Sequence, residues 1–385
     1  MAGAMILMLL LRSAILGNEL DTTVLSKGTQ ETWNSLFALA TKHDLAHLIS
    51  YSLEKCNLLQ CGTLTKFKKA KSQAIYRYLR MEREYKHLCN TFEAAKIPFI
   101  PLKGTVLRTY YPEPWMRTSC DIDILVQEES LEEAAEALVT QLDYTRGKKS
   151  NHDISLTSPS GVHLELHYRA VDEGRFLDAQ AILDRIWQVA VPTGEGAYQR
   201  VLSDEMFYFC HIVHMAKHIE NGGCGIRPFL DLWILNYRFP YNQEKRDELL
   251  EDGNLMKFAS AVEKLSEVWF SDAQSDDMTQ RLERYVLSGG TYGILENQVC
   301  VNQSKLGGKA EYALQKIFLP YDRIKYHYPI LQKYRILTPI FEVIRWIKLL
   351  FKGGVKRSIQ ELHVNEVVAQ KGSNEVKVLL EYLGL

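Results

Sequence analysis

The sequence predicts an α+β protein: a small mixed β-sheet core flanked by N-terminal and C-terminal helical regions. Three observations predict it. Strand patterns are confined to residues 97–195, where Asp121-Ile122-Asp123-Ile124-Leu125-Val126 and Val162-His163-Leu164-Glu165-Leu166-His167-Tyr168-Arg169 place an apolar residue at every second position. Apolar residues recur at helical spacing before that stretch, as at Leu45, Leu48, Ile49 and Leu53. Helical signals return after it, beginning with Ser203-Asp204-Glu205, a helix start. The expected division is residues 1–96, 97–195 and 196–385.

The N-terminal region opens on the apolar run Met5–Leu11, too short to cross a bilayer and without a basic leader, so a buried first helix is expected rather than a signal peptide. Trp33, Leu36, Phe37 and Ala40 mark a further helix. Residues 63–95 contain neither Gly nor Pro and read as one long helix, basic at first, with Tyr76, Tyr78 and Tyr85 interleaved. Glu82 and Glu84 break the basic run, so a solvated face is favoured over a nucleic-acid surface.

In the core, Ile97 to Ile100 reads as a short strand, Lys103-Gly104 as a turn and Thr105 to Tyr110 as a helix. The Asp121–Val126 strand follows, then a helix over 129–142 whose early glutamates suit the helix dipole. His152 to Leu156 reads as a strand that Pro159-Ser160-Gly161 turns into the Glu165 strand. Beyond residue 200, one helix carries His211, His214, Lys217 and His218. It lacks the glutamate of a His-Glu-x-x-His zinc site, and zinc is not predicted. Arg227 and Asp231 open the next helix, four residues apart, as lining of a cleft or as an internal ion pair. The glycine-rich Ser288–Gly293 follows no strand, which excludes a dinucleotide-binding loop. Ile336 to Phe351 reads as an amphipathic helix packed on the body, with contact to a membrane surface as the alternative.

Length and charge bound the function. The 385 residues suffice for two or three domains, and 46 basic against 47 acidic residues give no global attraction to long nucleic acid. Seven cysteines include no Cys-x-x-Cys pair, and a reduced, cytoplasmic compartment is the simplest reading. No transmembrane segment is expected.

The chemistry gathers around the two aspartates. Side chains two apart on a strand share a face, so Asp121 and Asp123 project together while Ile122 and Ile124 enter the core. Like charges that close repel, and a divalent cation, Mg²⁺ or Mn²⁺, is the usual remedy. A solvated strand face is the alternative for this pair, and from its strand alone Glu165 reads that way too. Lys103 adds a positive charge beside a glycine that lets backbone approach a ligand.

Leu102-Lys103-Gly104, Arg117 with Asp121-Ile122-Asp123-Ile124-Leu125-Val126, and Glu165-Leu166-His167-Tyr168 resemble the motifs of an uncharacterised bacterial nucleotidyltransferase family of the DNA polymerase beta-type superfamily. Most of the chain is similar to that family, with the specific motifs between Leu102 and Tyr168. The superfamily more often has Gly-Ser or Gly-Gly at the turn and a shorter gap to the first aspartate. The resemblance implies Asp121, Asp123 and Glu165 as catalytic and metal-binding residues. It implies that the Gly104 turn faces the nucleotide phosphates, and Lys103, Arg117 and His167 are read as nucleotide-binding beside it. His152 is read as near the carboxylates or as a cap on the sheet, and with His214, Lys217, His218 and Arg227 as a possible cleft wall. The function it implies is metal-dependent transfer of a nucleoside monophosphate from a nucleoside triphosphate such as ATP to an unknown hydroxyl or phosphate acceptor, on a small molecule, a protein or an RNA end. The alternative is a non-catalytic nucleotide-binding or antitoxin-like interaction module of the same fold; transfer to a sugar phosphate is a third reading.

Overall fold

The structure is a computed structural model that describes residues 2–17, 25, 28–55, 64–171, 176–238, 242–291, 293–306, 308–321, 324–325, 328–351, 355–367 and 370–385. Cys56, Cys61, Thr63 and Tyr292 lie outside the described residues. Two compact units divide the chain: Met1–Met215 with Ile226–Ser275, and Ala216–Gly225 with Asp276–Leu385.

The first unit is built on a five-stranded mixed sheet. Its strands are β1 (Phe99–Pro101), β2 (Asp121–Val126), β3 (Thr145–Lys149), β4 (Asp153–Thr157) and β5 (His163–His167), in the order β1-β2-β5-β4-β3. Only the β2–β5 pair is parallel. One face is apolar because the alternation demands it. Ile122, Ile124, Val126, Ile154, Leu156, Leu164 and Leu166 are buried there against the helices Leu64–Ala94 and Leu131–Leu142, which supply Met81, Leu88, Phe92, Leu131, Ala134, Ala135 and Leu138. Each fully buried Leu, Ile or Phe contributes roughly 1.5–3 kcal/mol. The other face therefore carries the polar residues of β2 and β5.

Further helices complete this unit. In Ala2–Leu16, Leu7, Leu10 and Leu11 are fully buried, as the apolar run implies, while Met5 is exposed. Lys66, Lys68, Lys69, Arg77 and Arg83 face solvent along the long helix. Beyond the sheet, a two-stranded ribbon, β6 (Val191–Pro192) and β7 (Arg200–Val201), straddles residue 195. Ser203 then caps the helix Asp204–Glu220, its Oγ accepting from the Met206 amide.

Three local readings change. The strand expected from His152 begins at Asp153 and runs to Thr157. The exposed edge strand β3, Thr-Arg-Gly-Lys-Lys, carries no apolar alternation and was not expected; its charges protect the sheet edge from pairing with another chain. Lys103-Gly104 is not a turn ahead of a helix but the first turn of the helix Lys103–Leu107, and the left-handed residue is Lys103 (φ 47°) rather than the glycine.

The second unit is helical among its described residues. Its glycine-rich stretch has a structural explanation. The helix Asp277–Gly289 ends there, Gly293 has φ 72°, and a Cβ on Gly293 would collide with the backbone of Gly222. The glycine permits two chain segments to touch.

Candidate active site

The register of two adjacent strands assembles the site. Because β2 and β5 run parallel with Asp123 opposite Glu165 and Asp121 opposite His163, the polar residues of both strands share the face away from the helices. The Leu102 amide donates to the Asp123 carbonyl at 3.0 Å, which holds the start of the short helix against β2. Lys103, in its left-handed conformation, then directs its ammonium at the carboxylates. Nζ donates to Asp123 Oδ1 at 2.6 Å and lies 4.0 Å from Glu165 Oε2. His167 Nε2 lies 2.9 Å from Asp123 Oδ1 and 3.3 Å from Glu165 Oε2. One ligand atom from each of Asp123, Glu165 and His167 lies within 4.8 Å of the others. His152 stacks on His167, ring centroids 5.7 Å apart, with its Nδ1 near Ser150 Oγ and Asn151 Oδ1.

The charges are unequal. Burial raises the Asp121 carboxyl, and the Asp123 charge raises it further against the pull of Lys103, to a pKa of about 6. Burial also opposes ionisation of Asp123, but Lys103 and His167 outweigh it and hold that carboxyl well below the usual range. Glu165 is lowered, first by its hydrogen bond with His167. Burial and Lys103 disfavour charge on His167, yet its bonds to Asp123 and Glu165 raise its pKa overall. Lys103, too, is raised, because Asp123 and Glu165 outweigh its desolvation. Asp121 is thus the carboxylate left least neutralised.

A pH dependence follows. The Asp121 pKa is higher folded than its ordinary 3.8, so the folded protein holds the extra proton between about pH 4 and pH 6. Its contribution to stability falls as pH rises through that window. Asp121→Asn is therefore expected to stabilise the metal-free protein above pH 6 by on the order of 1–3 kcal/mol. The gain should vanish below about pH 4, where Asp121 is neutral as well. Thermal midpoints of both proteins from acid to neutral pH check this; a gap independent of pH contradicts it.

Gly104 has a packing role. A Cβ there would lie 2.9 Å from Ser119 Cβ, so the absent side chain lets the short helix close on the residues leading into β2. Arg108 fastens the same junction, Nε donating to the Gly104 carbonyl at 3.0 Å and Nη2 to Ser119 Oγ at 2.9 Å. Gly104→Ala is expected to cost roughly 1–3 kcal/mol by overpacking, despite the better helix propensity of alanine. Adding Ser119→Gly should recover part of it; chemical denaturation of the single and double variants reads the difference.

Arg117, expected at the nucleotide, and the residues expected as a cleft wall take the following places. Arg117 is buried, with Nε donating to Asp231 Oδ1 at 2.7 Å, and Tyr111 Oη donates to the same oxygen at 2.7 Å. The expected Arg227–Asp231 pair is not formed. Arg227 Nη1 instead donates to Asp44 Oδ2 at 2.9 Å, which also accepts from Thr118 Oγ1 at 2.7 Å. Both arginines thereby anchor the approach to β2. Asp44 and Tyr111, which sequence reading missed, carry no local signal of these roles. His214, Lys217 and His218 are half-buried on the helix Asp204–Glu220, His214 in the first unit and the other two in the second. His211 Nε2 lies 2.9 Å from the Pro228 carbonyl, a structural contact.

A mixed five-stranded sheet with Asp-x-Asp on its second strand and a carboxylate in register on the next defines a nucleotidyltransferase-like core, the arrangement that the sequence resemblance implies. Residues 29–271 match the model of the uncharacterised nucleotidyltransferase family, a span that takes in the whole sheet and every carboxylate above; the chain belongs to that family. Its class of activity is nucleotidyl transfer. Neither a curated protein nor a solved structure matches the chain. No helix among the described residues is long and apolar enough to cross a membrane.

Proposed function

We propose that the chain transfers a nucleoside monophosphate from a nucleoside triphosphate to an unidentified hydroxyl or phosphate acceptor, with Mg²⁺ or Mn²⁺ held by Asp121, Asp123 and Glu165. The observation that carries this reading is the pairing of Asp123 with Glu165 on adjacent parallel strands, with a lysine ammonium drawn in between. The residues fit a hard divalent cation: the carboxylate oxygens of Asp123 and Glu165 cluster with His167, and Asp121, raised by burial and by the Asp123 charge, adds a third carboxylate on the same sheet face. When bound, the metal supplies Lewis-acid stabilisation of charge on the attacking and leaving oxygens.

The chain's own groups do the remainder. Lys103, on its flexible four-carbon stem, balances the carboxylates in the metal-free protein. With a divalent cation held by the carboxylates, that balance would no longer need Lys103, and its ammonium would be available to the triphosphate. His167 plays a similar part as imidazolium; as neutral imidazole it is a third donor beside Asp123 and Glu165. His152 supports the His167 ring by stacking.

Isothermal titration of each nucleoside triphosphate, with and without Mg²⁺ or Mn²⁺, tests the reading, followed by a mass-spectrometric search for nucleotidylated acceptors. Metal-dependent binding of at least one nucleotide is expected. Failure of every nucleotide to bind with either ion overturns the proposal, and binding without pyrophosphate release favours the non-catalytic alternative.

A further inference from the structure

The helix Thr338–Phe351 of the second unit turns an apolar stripe to solvent. Ile336, on the turn just before it, is 86 % exposed, and Ile340, Val343 and Ile347 are 56, 59 and 49 % exposed. Their spacings of four, three and four residues place them on one face. The inward side of this helix combines half-buried Phe341, Ile344 and Trp346 with a polar anchor. Buried Glu342 accepts from the Leu319 amide at 2.7 Å and from Arg345 Nε at 2.8 Å, while Arg345 and Trp346 Nε1 donate to the Ile317 carbonyl. The helix is therefore fixed with a second apolar face, that of Ile340, Val343 and Ile347, left outward, where an ordinary surface helix is polar.

The stretch of sequence that carries this helix is basic. Between Lys325 and Arg357 there are eight lysines and arginines against Glu342 alone, a net +7 in a chain whose total is −1. Glu342 is already engaged by Arg345, and Lys333, Arg335 and Lys348 are exposed around the stripe. A second copy of the chain would bring two such basic segments together, which like-charge repulsion opposes. A nucleic acid would meet the cations but leave the isoleucines wet. An anionic lipid surface satisfies both features. At 14 residues, the helix is too short to span a bilayer but long enough to lie in its interface.

We propose that this face docks on an anionic membrane surface, with Ile336, Ile340, Val343 and Ile347 at the acyl boundary and Lys333, Arg335 and Lys348 among the headgroups. The proposal does not depend on the nucleotidyl-transfer reading, since no carboxylate of the candidate active site takes part.

Co-sedimentation of the full chain with vesicles tests it, using phosphatidylcholine alone and a phosphatidylcholine–phosphatidylglycerol mixture. The protein is expected to pellet with the mixed vesicles only, less so as salt rises. Ile340→Glu with Val343→Glu should lower that partition at least about tenfold, and so should Lys333→Glu with Lys348→Glu. Ile336→Glu, at the most exposed position, is a further variant least able to disturb folding, and circular dichroism confirms that each variant keeps its helices. Absence of sedimentation with either vesicle overturns the proposal, as does binding that neither pair of substitutions weakens. A wild-type dimer that Ile340→Glu with Val343→Glu converts to monomer overturns it as well, because a second copy then covers the face.

Discussion

Replacing Asp121 and Asp123 together by alanine is expected to abolish metal-supported nucleotide binding and to lower any transfer rate by about 10²–10³ or more, the loss that follows removal of one group stabilising transition-state charge. The two carboxylates contribute differently. Asp123 is 3 % exposed and bonded to both Lys103 and His167, so it organises the cluster. Asp121 carries the charge that its neighbours leave least neutralised. Alanine at position 123 also removes a buried acceptor, so stability falls by about 1–3 kcal/mol. The paired variant Asp121→Asn with Asp123→Asn keeps the side-chain volume and separates the two effects: it should fold close to wild type and still bind nucleotide without metal dependence. Calorimetric titration with and without Mg²⁺ reads the binding, and thermal denaturation reads the fold. Unchanged metal-supported affinity in either double variant would remove the metal assignment.

What could be read from the sequence follows from the range over which each interaction acts. Asp-Ile-Asp-Ile-Leu-Val announces a strand with one apolar and one acidic face because period two is a local property. The helices on either side are legible in the same way, and with the sheet they give the α+β class. Glu165 is different. Its strand reads as an ordinary solvated face, and only the parallel register with β2 brings it opposite Asp123, 42 positions earlier in the sequence. The edge strand β3 escaped because its five exposed residues bury nothing that could impose a pattern. Arg227 and Asp231 sit four apart on one helix and invite a local pairing, yet each takes a distant partner. Asp44, 183 residues away in sequence, reaches Arg227, and Arg117, 114 residues away, reaches Asp231. Helical spacing permits a pair but does not select it when tertiary packing brings a better-placed group.

The Arg117–Asp231 pair carries the second large effect. Asp231 is fully buried, Arg117 is 8 % exposed, and Tyr111 Oη donates to the same carboxylate. Asp231→Ala leaves a buried guanidinium without a counter-charge and a buried phenol without an acceptor, so a loss of about 3–5 kcal/mol is expected. Against a total stability of roughly 5–15 kcal/mol, that is enough to lower the thermal midpoint by about 10 °C. Replacing the whole cluster, with Arg117→Met, Asp231→Leu and Tyr111→Phe, should recover most of the loss, because well-packed apolar groups can replace a buried ion pair at little cost. The same triple variant decides between the two roles of Arg117. If its guanidinium serves only to anchor the approach to β2, the stable triple variant binds nucleotide with Mg²⁺ as the wild type does. If Arg117 meets phosphate in the bound state, that variant melts normally and binds weakly. An unaltered thermal midpoint for Asp231→Ala would contradict the structural role, since a buried arginine stripped of its partner cannot leave stability unchanged.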